Sequence, residues 1–129
     1  MALVSQTTEG IRVSVEAVFL PSASKPQQRH WMFAYDIRID NTGDTPATLR
    51  SRVWRILDGY GDVGIIEGPG VIGEQPRLAP GDSFSYRSGC PLTTPVGTMQ
   101  GEYKMERDDG STFDAFIPEF TLAAPDALH

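Results

Sequence analysis

Apolar and polar residues alternate with a period of two in four separate stretches, the periodicity of half-buried strands and not of helices. In the first, Ile11, Val13, Val15, Ala17 and Phe19 are apolar while Arg12, Ser14 and Glu16 are polar. Trp31, Phe33, Tyr35, Ile37 and Ile39 repeat the pattern against Asp36, Arg38 and Asp40. Met99, Tyr103 and Met105 alternate with Gln100, Glu102 and Lys104, and Phe113, Ala115 and Ile117 follow with Thr112 and Asp114 between them. Phe84 and Tyr86 predict a shorter strand, and Pro46 to Leu57 a further one. Turn-forming clusters separate these runs: Asn41-Thr42-Gly43-Asp44, Asp58-Gly59, Pro80-Gly81-Asp82 and Asp109-Gly110, the last being the sharpest hairpin signal. Pro21 to His30 reads as an exposed loop. No stretch carries a helical period, and 13 Gly and 10 Pro leave little room for a long helix. Short strands with turns between them predict an all-β fold, an antiparallel sandwich or barrel.

At 129 residues the chain has the size of one domain and can bury one core. The expectation is a single domain over residues 1–129, with its core at 11–122 and flexible ends at 1–8 and 123–129. The single cysteine, Cys90, forms no intramolecular disulfide, which points to a reducing compartment. The first residues lack the positive stretch and apolar run of a signal peptide, and charges interrupt every stretch that would approach the ~20 apolar residues of a membrane span. A cytoplasmic location is therefore expected.

Lys and Arg number 11 against 17 Asp and Glu, a formal charge of -6, which disfavours nucleic-acid phosphates and anionic membranes as partners. The acidic excess is densest at Glu102, Glu106, Asp108, Asp109 and Asp114, and reads as a solvated face in preference to a metal site.

Candidate chemistry is sparse. Gly68-Pro69-Gly70-Val71-Ile72-Gly73 has the Gly-x-Gly-x-x-Gly spacing of dinucleotide-binding turns, which need a helix to follow so that its free N–H groups meet the pyrophosphate. Here Glu74-Gln75-Pro76 follows, and Pro76 disfavours a helical Gln75. A structural glycine loop is the preferred reading, although a nest of loop amides can hold an anion without a helix. Arg50, Arg52 and Trp54 alternate along the Pro46–Leu57 strand, which places two guanidiniums beside an aromatic on one face. Such a face recognises phosphate or carboxylate; alternatively Trp54 is core and the arginines pair across the sheet, the preferred reading. Gly68, Gly70, Gly73, Glu74, Arg50 and Arg52 are thus the candidate ligand- or partner-binding residues.

No nucleophile and base are spelled, since the only histidines are His30 and His129, and Cys90 between Gly89 and Pro91 reads as packed. One cysteine and two distant histidines make no zinc site, and Asp58, Asp62 and Glu67, interspersed with Gly59 and Gly61, suit a hairpin loop better than a cation site. Neither an enzyme nor a cofactor is expected.

Four segments together resemble the bacterial ApaG family: Leu49 to Ile56, Gly68 to Pro76, Leu78-Ala79-Pro80-Gly81, and Ser88 to Leu92 with Thr94-Pro95. The resemblance spans Ile11 to Leu122, with Val53 where an aromatic often precedes the tryptophan. It implies an immunoglobulin-like or fibronectin-type-III-like sandwich. It also implies an association with cobalt resistance and magnesium efflux, a gene commonly beside a hydrolase of diadenosine tetraphosphate, and related domains in F-box and DNA-polymerase-delta-interacting proteins. The functional expectation is a non-enzymatic binding module that holds a protein partner through a sheet edge or the Gly68–Pro76 loop, with weak self-association through an edge as a further expectation. The alternative is a domain that senses a phosphate-containing small molecule or nucleotide, Mg²⁺ or Co²⁺ through that loop.

Overall fold

The computed structural model describes residues 3–125; the expectations for 1–2 and 126–129, His129 included, lie outside them. Among the described residues nine strands follow in order: β1 (Val4–Thr8), β2 (Ile11–Phe19), β3 (Trp31–Asn41), β4 (Ala47–Asp58), β5 (Val63–Pro69), β6 (Arg77–Leu78), β7 (Ser83–Leu92), β8 (Val96–Arg107) and β9 (Thr112–Ala123). They pair antiparallel in two sheets, β1-β2-β3-β7 and β5-β4-β8-β9, with the short β6 on the β4 edge that β5 also uses. This is an all-β antiparallel sandwich of the immunoglobulin-like class. Each alternating run supplies its apolar face to the space between the sheets: Val13, Val15, Phe33, Ile39, Leu49, Tyr103, Met105 and Leu122 are fully enclosed. No helix among the described residues is long and apolar enough to cross a membrane.

Each turn cluster lies between strands as expected. At Asp109-Gly110 the β8–β9 hairpin closes with Gly110 at φ +88°. At Asp58-Gly59 the Asp58 carboxylate accepts the amides of Tyr60 and Asp62, an Asx turn. The loop from Pro21 to His30 contains two single 3₁₀ turns, Pro21–Ala23 and Pro26–Gln28.

Two expectations are corrected. Val4–Thr8 is not a free end but an ordered strand, paired with β2 from Val4–Val15 to Thr8–Ile11; at the other end, Ala123 and Ala124 are buried and the Ala124 amide donates to the Pro95 carbonyl. Backbone ladder bonds hold these short segments in place although their sequences, rich in Ser, Thr and Ala, show no apolar alternation. Nor do Arg50, Arg52 and Trp54 share one face. The ladder between β4 and β8 slips by one residue between Leu49 and Ser51, so Arg50 is an extra, bulged residue. Before the bulge Ala47 and Leu49 point inward; after it Arg52 and Trp54 do, opposite Tyr103 and Gly101. Arg50 turns outward to Glu106, at 2.9–3.0 Å.

Candidate functional site: the glycine hairpin and the β5 edge

Beside the bulge the chain leaves β5 and returns as β6, and the Gly68–Pro76 segment fills the gap along the β4 edge. Val71 and Glu74 exchange backbone hydrogen bonds of 2.9 Å in both directions, which makes Ile72-Gly73 a two-residue hairpin tip. Ile72 at φ +43° and Gly73 at φ +80° give it the type I′ form, whose backbone twist suits antiparallel strands. The tip tucks Val71 into the core and leaves Ile72 outside, 59% exposed.

All three glycines of the motif have geometric duties. At Gly68 a Cβ would press on the Arg52 guanidinium at 3.1–3.2 Å; at Gly70, with φ +59°, it would collide with the Glu74 carbonyl. Gly73 supplies the second positive φ of the turn. The loop amides are largely spent internally: Gly70 donates to the Arg50 carbonyl at 2.8 Å, and those of Val71 and Glu74 bond each other's carbonyls. Gln75 adds a clamp, accepting from Arg50 Nη1 and donating back to the Arg50 carbonyl.

The candidate residues therefore do converge. Arg50 anchors the loop from outside through Gln75, while Arg52 holds it from inside, its Nη1 donating to the carbonyls of Pro69 at 3.0 Å and Gly70 at 2.8 Å. Trp54, 2% exposed, is core and packs edge-on against Tyr35 and Phe120. Burial pushes the Cys90 thiol up to about 11, so it is a packed, protonated side chain. His30 ends the Pro21–His30 loop, its carbonyl accepting the Lys25 amide. The acidic run near the C-terminal end is largely paired: Glu102 with Arg55, Glu106 with Arg50, Asp108 with Arg77 and Asp114 with Lys104. Among the described residues, no three His, Cys, Asp or Glu side chains cluster as a metal site.

Sequence reasoning missed β5 itself. It is the edge strand of its sheet, and directly opposite residues share a face, so Val63, Ile65 and Glu67 lie outward with Leu57, Arg55 and Val53. Val63 is 60% and Ile65 62% exposed. Ile66 points inward beside Trp54, yet stays half exposed because the facing sheet ends at β7 there. Between β5 and β7 opens a cleft of about 360 Å³ lined by Ile56, Ile66, Pro91 and Leu92, with Asp58 and Asp62 at its end. The signal in the sequence was the apolar pair Ile65-Ile66 between Gly64 and Gly68, too short and too glycine-flanked to alternate.

An antiparallel sandwich with one bulged strand, a hairpin plugged into the same edge and an open neighbouring strand defines the architecture. The sequence profile of the ApaG domain matches residues 21–107. Protein ApaG of Aromatoleum aromaticum is 55% identical, the match covering 95% of this chain and 98% of that one, and Protein ApaG of an Azoarcus species is 53% identical over the same shares. A solved structure of an ApaA protein from Bordetella pertussis superposes with a TM-score of 0.87 at 49% identity, covering 89% of this chain and 94% of that one. The chain belongs to the ApaG family.

Proposed function

We propose that this chain is a non-enzymatic binding module that adds an extended segment of a protein partner to the outer edge of β5. The observation that carries this reading is the edge itself: among the described residues β5 pairs only with β4, and its outward N–H and C=O groups lie between apolar side chains on both faces. A partner strand laid there gains ladder hydrogen bonds, and its alternate side chains meet Val63 and Ile65 on one face and the Ile56–Leu92 cleft on the other.

Charge narrows the partner. Asp58, Asp62, Glu67 and Glu74 surround the edge and enter no ion pair among the described residues, whereas nearby Arg55 is bidentate to Glu102 at 2.7 Å. A segment apolar on both faces and flanked by Lys or Arg complements this rim, and two copies of β5 side by side would set like charges together. The cobalt and magnesium association of the family would then run through the captured partner.

The test places a photo-crosslinking amino acid at position 65, and as a control at position 114 on the far strand of the same sheet. The reading expects position 65 alone to trap a protein, with the product lost in Val63→Lys. Equal trapping at both positions, or at 114 alone, removes the β5 edge from the account.

A further inference from the structure

Arg52 is a cation that the fold turns inward and leaves without a counter-charge. Among the described residues, Arg29 and Arg52 are the two arginines outside any ion pair, and Arg29 lies at the surface against Tyr60. Arg52 is half-buried, so its guanidinium keeps some water, and the part of the fork that faces inward needs an anion or acceptors to replace the water it gives up. The carbonyls of Pro69 and Gly70 occupy Nη1 alone. Nε and Nη2 form the other edge of the planar fork, the geometry that grips an oxyanion through two parallel bonds.

Next to Arg52 lies a pocket of about 170 Å³ whose wall is Tyr35, Trp54, Val71, Ile72, Tyr86 and Ser88. This is room enough for a group the size of a carboxylate or phosphate. The wall is apolar apart from the hydroxyls of Tyr35 and Ser88, which lie opposite each other within hydrogen-bonding reach and leave one O–H between them free to donate, since the Tyr86 hydroxyl is taken by Tyr103 at 2.5 Å. A few convergent polar groups in an apolar wall are the usual make-up of a small-ligand site. Its roof is the hairpin tip, where Ile72 holds a left-handed conformation that a β-branched residue adopts only at a cost, and such strain collects at ligand clamps.

We infer that Arg52, Tyr35 and Ser88 form a binding site for a small oxyanion, a carboxylate or inorganic phosphate, beneath the Val71–Glu74 hairpin. The side chains make this site, not the glycine-motif amides, and it stands independently of the β5 edge. A carboxylate could arrive free or as part of a larger molecule; the chemistry Arg52 reads is the same.

The experiment is an NMR titration of the full chain, following backbone amides and the Arg52 Nε–H, with sodium acetate and sodium phosphate in separate arms at fixed ionic strength. Saturable shifts at Arg52 Nε–H and at Ser88 and Ile72, with a Kd of about 1 mM, support the site, and the arm that saturates names the anion. Ser88→Ala is expected to weaken binding several-fold, and Arg52→Gln to abolish it. If Arg52→Gln does not fold, Ser88→Ala alone decides. Silence in both arms to about 50 mM, shifts centred on the Gly68–Gly73 amides, or an affinity unchanged by Ser88→Ala overturns the assignment.

Discussion

Ile72→Asn should make this protein more stable and its binding weaker. Ile72 occupies the first position of a type I′ turn at φ +43°, followed by Gly73. A left-handed conformation costs an L-residue about 1–2 kcal/mol, with the upper end apt for a β-branched side chain, whereas Asn tolerates it and Asn-Gly is the preferred pair for this turn. Against that gain stands lost burial. Ile72 is 59% exposed, so about two fifths of its side chain is covered, worth about 0.8 kcal/mol if full burial is worth about 2. The balance is a stabilisation of about 0.5–1 kcal/mol, or a Tm raised by roughly 2–4 °C for a domain of this size. Thermal melts and urea titrations of the two proteins side by side measure it. A lower Tm for the Asn variant would falsify the claim that the tip is strained. Because Ile72 roofs the Arg52 pocket and stands beyond the end of β5, the same variant should bind the small anion or the crosslinked partner less well, the trade expected where strain is kept for function.

Three further outcomes follow from the packing. Gly70→Ala meets both a positive φ and the Glu74 carbonyl, so it should cost at least about 2 kcal/mol in urea unfolding, more than the same change at Gly61, which shares the positive φ but where a Cβ meets nothing. Tyr103→Phe leaves the enclosed Tyr86 hydroxyl without its 2.5 Å partner and should cost about 1–3 kcal/mol, while the double Phe variant should cost less than the sum of the singles in a double-mutant cycle. Asp40 gives a pH signature: burial alone would raise its carboxyl, but the Ser83 hydroxyl and the guanidiniums of Arg38 and Arg12 outweigh it and hold the group below its ordinary value. A folded value below the unfolded one means that the stability Asp40 contributes is complete above about pH 4 and is lost as pH falls through the lower folded value. Urea midpoints taken down to about pH 3 should therefore fall less steeply for Asp40→Asn than for the parent, and parallel curves would refute the assignment.

What the sequence discloses and what it hides divide along physical lines. The cores of β2, β3, β8 and β9 are legible because one face is buried and the other wet, so the pleat writes a period of two into the residue types. β1 carries one apolar residue in five and is held by its ladder to β2, a backbone property that side-chain pattern does not encode. β5 is exposed almost throughout, so burial imposes no alternation on it. The candidate residues lie together for a different reason from the one the sequence suggested. Glycine spacing suggested phosphate and strand alternation put both arginines together, whereas a bulge separates their faces and the hairpin brings them back to one loop from opposite sides. A bulge is one extra residue with no signature of its own, and here the only clue was that Arg52 and Trp54 break step with Ala47 and Leu49.

That extra residue also sets where the strand can change length. Removing any one of residues 51–53, between the bulge and Trp54, would invert every following side chain, bringing Arg55 into the core and Trp54 out of it. Removing residue 50 would instead straighten the ladder and leave Leu49, Arg52 and Trp54 facing as they do now. The loss would fall on the hairpin, whose Gly70 amide and Gln75 amide group both bond the Arg50 carbonyl. Bulge and hairpin are thus one heritable module: relatives that shorten β4 here should shorten or rebuild the Gly68–Pro76 segment in the same step, and those that keep one should keep the other.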